Sequence, residues 1–154
     1  MRTKVLVVIA AVTAFMALGA ASALAANQQV NGQGQTALSA SLGFNAKADL
    51  SGQMNYNADP NGVNAGFSAH CSGYTSYAQD TTGRNGYPRV KLMGTCTDKD
   101  GVTVYMRASF VDRGEPGTFD SECITFSYTD PAVKKNIVVH DMGYIQNGNI
   151  QIHG

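Results

Sequence analysis

The chain has 154 residues, with eleven basic and eleven acidic side chains and a formal net charge of zero. Only 14% of its residues are charged and no block of Lys or Arg stands out. That excludes a surface able to neutralise a run of phosphates, so nucleic acid is not an expected partner.

Arg2 and Lys4 precede an apolar, small-residue run from Val5 to Ala25 that closes on Ala23-Leu24-Ala25. A positive start, an apolar centre and a small-x-small end describe a secretory signal peptide over residues 1–25. The run is long enough to serve as a retained anchor. The Ala-rich end and the polar "ANQQVNGQGQ" after it favour cleavage, which would leave no transmembrane segment. Removal of two basic residues would leave nine against eleven acidic ones, a net charge of about −2. Residues 26–35 are polar and glycine-rich and are expected to form a flexible leader. Residues 36–154 then form a single domain, as their length suggests.

From Thr36 the pattern alternates. Leu38, Ala40, Leu42 and Phe44 share one parity, as do Leu50, Gly52, Met54 and Tyr56. Successive strand side chains point to opposite faces, so both runs read as half-buried strands, joined by "NAKAD" as a hairpin loop. "ADPNG" at 58–62 is a turn. Val63, Ala65, Phe67, Ala69 and Cys71 predict a further strand, with a bend at Gly73. Val90, Leu92, Gly94 and Cys96 predict another, and Asp100-Gly101 a hairpin.

"VTVYMRASFVD" alternates most cleanly. Val102, Val104, Met106, Ala108 and Phe110 face one way, and Thr103, Tyr105, Arg107, Ser109 and Val111 the other. "CITFSY", "IVVHDMGYI" and a short terminal "IQIH" after a "QNGN" turn complete the set. No stretch of the mature chain keeps a helical period. The expected fold is all-β, a β-sandwich of about eight or nine short, mainly antiparallel strands, with a flattened β-barrel as the alternative.

Three cysteines, Cys71, Cys96 and Cys123, allow one disulfide in three pairings. Cys71 and Cys96 lie on the apolar parity of their strands, whereas Cys123 is out of phase with Ile124, Phe126 and Tyr128. Cys71–Cys96 is the preferred pair, and an exported chain is free to form it.

"GVTVYMRASFVDRGEPGTFDSECITFSY", preceded by a strand with Gly94 and followed by "GNIQIH", resembles the small β modules of secreted bacterial proteins known as post-COAP-1 domains. The recurring pattern there is a strand ending in V-x-D, then G-E-x-G, then an Asp before the next strand; here Val111-Asp112, Gly114-Glu115-Pro116-Gly117 and Asp120 stand in those places. Gly43-Phe44 is similar to an early G-F strand there. The resemblance spans about 36–154, and the three cysteines depart from it. It implies an extracellular accessory module and brings no catalytic residue with it.

The acidic stretch at 110–126 has several readings. Asp112, Glu115, Asp120 and Glu122 offer carboxylates around Gly114 and Gly117, and hard oxygen donors at a bend suit Ca2+. Asp98 and Asp100 would join them if their hairpin lay at the same end. The spacing matches no known calcium loop, and Asp, Gly and Pro also build turns for their own sake. A pair of these carboxylates could instead serve a hydrolase. Outward Tyr105 and Arg107 could form a shallow binding surface. His70, His140 and His153, even with Asp141, match no zinc spacing. No nucleophile elbow or phosphate loop is present. The expected function is a secreted structural or binding module without catalytic activity, extracellular or in the cell envelope. Its partner would be an extracellular protein or a glycan, and Ca2+ its only candidate cofactor. The alternative is an extracellular hydrolase using the carboxylates near 112–122.

Overall fold

A computed structural model describes residues 27–114, 119–129 and 137–154. The signal segment at 1–25, Glu115 and Gly117 lie outside these residues. Ten strands form one antiparallel sheet: β1 Gln29–Gln35, β2 Ser41–Lys47, β3 Gly52–Asn57, β4 Ser68–Ser72, β5 Ser76–Asp80, β6 Arg89–Asp98, β7 Thr103–Val111, β8 Ser121–Ser127, β9 Ile137–Tyr144 and β10 Gln146–His153. Their order is β10-β1-β2-β3-β4-β6-β7-β8-β9, with β5 beside the first half of β6.

A sheet with one apolar face must cover it, and this sheet does so by folding back on itself. Phe44 of β2 stacks on Phe110 of β7 with ring centroids 4.0 Å apart. Tyr56 of β3 and Phe67 each lie 5.2 Å from the Phe126 ring of β8. None of these strands is a sheet neighbour of the one it meets, so these contacts cross the interior. The result is an all-β, nearly closed, flattened barrel. Alternation supplies the lining: Val104, Met106, Ala108 and Phe110 on β7, and Ile124 and Phe126 on β8, are all buried. Full burial of a side chain such as Phe110 stabilises by roughly 2–3 kcal/mol.

Cys71 and Cys96 face each other directly across β4 and β6 and form the disulfide. Cys123 is a free thiol on the opposite face of the wall.

Four expectations change. Residues 29–35, read as a flexible leader, form β1, paired to β10 on one side and β2 on the other. Only Val30 of β1 is fully buried, so the strand carries almost no apolar signal of its own. Its neighbour supplies the burial: the Phe44 ring lies over Gly32, where a Cβ would come within 2.3 Å of it. Val63 and Ala65 are not on a strand. The Asn- and Gly-rich segment before β4 instead makes successive reverse turns, closed by Ala65 N–H to Gly62 O and Phe67 N–H to Asn64 O. Val63 is consequently 87% exposed. "QNGN" is part of β10 rather than a turn, which lengthens the terminal strand, and β1 brings the strand count to ten. Asp98 and Asp100 sit at the hairpin end of β6 and β7, whereas Asp112 follows the other end of β7. Those ends are on the order of 30 Å apart along the strand.

Candidate functional site

β9 and β10 are consecutive but end the sheet on opposite sides, so the barrel has a seam. Carboxylates close it. Both oxygens of Asp120 accept backbone amides, Oδ1 from Arg113 N at 2.8 Å and Oδ2 from Ile150 N at 2.7 Å. Asp112 does the same, from Gly114 N at 2.8 Å and Ile152 N at 2.9 Å. The amides of Ile150 and Ile152 are thus taken by two acids from the β7–β8 connection instead of by a neighbouring strand. A buried amide left without a partner is costly, and a charged acceptor makes the stronger bond.

A second pair of acids holds the β1–β2 loop. Asp141 of β9 is fully buried and accepts the hydroxyl of Thr36, the hydroxyl of Tyr56 at 2.9 Å and Leu38 N at 3.1 Å. Glu122 of β8 is also buried, and its Oε1 accepts Ala37 N at 3.2 Å. Its Oε2 is buried with no hydrogen-bond partner. Burial pushes the Glu122 carboxyl up to about 7, with the nearby Asp141 charge adding to it, against the pull of the Ala37 and Gly143 amides. Burial, followed by the Asp141 carboxylate at its hydroxyl, likewise raises Tyr56 well above the usual phenol range. The loop seats against Gly143, where a Cβ would come within 2.5 Å of the Ala37 methyl.

These contacts decide how the acidic stretch is used. Both oxygens of Asp112 and of Asp120, and one of Glu122, point toward N–H groups, whose positive ends occupy lone pairs a cation would need. They do not converge on one point, and among the described residues no group of three or more His, Cys, Asp or Glu is placed to hold a metal. His70 is exposed and contacts Asn55 Oδ1 at 2.8 Å, far from His140 in the sheet order.

The outer face of the same wall is different. A groove of about 710 Å³ crosses β5 to β9. In register, Ser76, Met93, Arg107, Thr125 and His140 form one row across the five strands. Thr125 Oγ1 and His140 Nδ1 are 3.1 Å apart. Lys91, Tyr105 and Ile137 flank this row. Beyond Ser109 and Cys123 the groove continues into a second depression of about 390 Å³ reaching Arg113 and Tyr144. There the Arg113 guanidinium lies 5.4 Å from the Tyr87 ring centroid and 5.6 Å from that of Tyr144. Burial raises the Cys123 thiol in this groove, with the Glu122 and Asp141 charges adding to it.

The outward placement of Tyr105 and Arg107 agrees with the alternation of β7. The partners of Arg107 from β6, β8 and β9 were not singled out, although Lys91, Thr125 and His140 share the outward parity of their strands. The inward acids were missed as a group. The available signal was that Glu122 is in phase with Ile124 and Phe126, and Asp141 with Val139.

No protein-family model, no curated protein and no solved structure matched this chain.

Proposed function

We propose that this protein is a secreted, non-catalytic binding module whose ligand, an extracellular protein or glycan, lies in the groove over β5–β9. The observation that carries this reading is the division of labour in the β6–β9 wall. Its acids face inward onto backbone amides and hydroxyls, with one Glu122 oxygen left over, while its outer face carries a long, mainly apolar groove that presents Lys91, Tyr105, Arg107, Thr125 and His140. The Cys71–Cys96 disulfide suits an oxidising compartment. Among the described residues no helix is long and apolar enough to cross a membrane. The signal-like segment at 1–25 and the post-COAP-1 resemblance supply the rest of the localisation.

An extracellular hydrolase is the competing reading, and its support is the buried acid Glu122, whose pKa near 7 would suit a general acid. Glycoside hydrolysis needs two carboxyl groups that flank the bond being cut. Asp120 and Asp141 are 0% exposed and Glu122 3%, and among the described residues Glu122 is the one carboxylate in the groove's lining, which gives no carboxylate pair. The two readings separate when secreted protein is presented with extracellular glycans and matrix proteins, and both capture and product release are scored. The module reading expects capture of intact ligand that is lost when Cys123 is coupled to a bulky maleimide. Ligand cleavage, or capture indifferent to the Cys123 adduct, would overturn it.

A further inference from the structure

The charge distribution in the groove goes further than its shape and, resting on the module reading, names the ligand class. On β6–β9 the acidic residues Asp98, Glu122 and Asp141 are all buried. The outward strand residues include Arg89, Lys91, Arg107 and His140 and no carboxylate among the described residues; the buried Glu122 forms part of the floor of the second depression only. Arg89 is paired with Asp80 at 3.3 Å. Lys91 and Arg107 have no ion-pair partner among the described residues. Lys91 lies opposite Ser109 and Arg107 opposite Met93, which makes the two cations diagonal neighbours on one face. A chain without net positive charge thus concentrates uncompensated positive charge on one wall by turning that wall's acids inward.

We infer that this groove binds a linear anionic polysaccharide, with its carboxylate or sulfate groups on Lys91 and Arg107 and a sugar ring against Tyr105. Arg presents a planar fork that matches carboxylate and sulfate oxygens in pairs. The Ser109 hydroxyl, and the Thr125 hydroxyl and His140 in the row beyond Arg107, supply hydrogen-bonding groups for sugar hydroxyls. Arg113, held between Tyr87 and Tyr144, forms a second cationic station at the far end of the continuous groove. Six residues of extended chain from Arg107 to Arg113 span on the order of 20 Å, room for several sugars of a chain and more than a single one needs. The Ser109 and Thr125 hydroxyls beside the cations, with Tyr105 two residues from Arg107 on the same face, favour a glycan over a peptide or nucleic acid.

The test uses oligomers of polygalacturonate and of dextran sulfate as probes. Fully methyl-esterified polygalacturonate, poly-glutamate and single-stranded oligo-dT serve as comparators. Binding to the secreted protein is followed by calorimetry at low and high salt. The inference expects binding of at least one anionic glycan, weakened by salt and absent for the esterified polymer. Arg107→Gln should weaken it at least about tenfold, the scale of one lost charge-assisted hydrogen bond. Its thermal midpoint should stay unchanged, because Arg107 is exposed. Tighter binding of poly-glutamate or oligo-dT, or equal binding of the esterified polymer, would overturn the anionic-glycan assignment while leaving a binding module in place. No binding of either anionic glycan would also overturn it, and cleavage of a probe would overturn the module reading itself.

Discussion

The Glu122 carboxyl makes the stability of the fold depend on pH in a direction opposite to that of most acids. Its ordinary value is 4.5, and burial in the loop anchor raises it to about 7. The folded state therefore holds the proton more tightly than the unfolded chain does. Stability from this group is complete below pH 4.5 and is lost as pH rises through 7. At about 1.4 kcal/mol for each tenfold change in proton affinity, the loss is roughly 3 kcal/mol. Asp49 and Asp98 are both shifted downward from 3.8, so their contributions change only at lower pH and leave this window clear. The assay is urea unfolding from pH 4.5 to 8 on the native protein and on Glu122→Gln, which keeps an acceptor for Ala37 N. The native protein should match the variant at the acid end and fall about 3 kcal/mol below it at pH 8. Taking the difference between the two proteins cancels the histidines. A difference that stays flat across the range would refute the buried, underpaired carboxyl.

Asp141→Ala leaves the Thr36 and Tyr56 hydroxyls and Leu38 N without their buried acceptor, and should cost about 3–5 kcal/mol. By calorimetry that is a fall in Tm on the order of 10–20 °C. Millimolar Ca2+ should leave the thermal midpoint where a chelator leaves it, because the oxygens of Asp112 and Asp120 already accept amide protons. A midpoint several degrees higher with Ca2+ would show that those carboxylates hold a cation instead. Free-thiol titration should find Cys123 alone, reacting with maleimide at neutral pH more slowly than a free cysteine, in keeping with its raised pKa.

Local alternation made most of the barrel readable. Thr103 to Val111 could be assigned face by face because each side chain's position follows from the one before it. Cys71 and Cys96 could be matched because both fell on the apolar parity of strands that are in fact neighbours. The failures occurred where burial depends on distant residues. In β1, Gly32 has no side chain, and its cover is the Phe44 ring on the next strand. Val63 is apolar, but the Asn and Gly residues around it hold the backbone in turns. Glu122 and Asp141 stand on apolar parity, and an acid there ordinarily reads as a break in the pattern. What makes their burial tolerable is Ala37 N, 85 positions away, and the Thr36 hydroxyl, 105 positions away. The candidate groove was half legible for the same reason. Tyr105 and Arg107 follow from one strand, whereas the row joining Arg107 to Thr125 and His140 follows from the register of three.

The reading of the acidic stretch as a fastener, and with it the choice of the opposite face for binding, rests on Asp112 and Asp120 closing the seam. Amide hydrogen exchange of Ile150 and Ile152 tests this most directly. Both amides should exchange as slowly as those inside the β6–β7 ladder, and each should become fast when its own acceptor is replaced, in Asp120→Ala for Ile150 and Asp112→Ala for Ile152. Exchange of both amides in the native protein at the rate of an open strand edge would contradict the account.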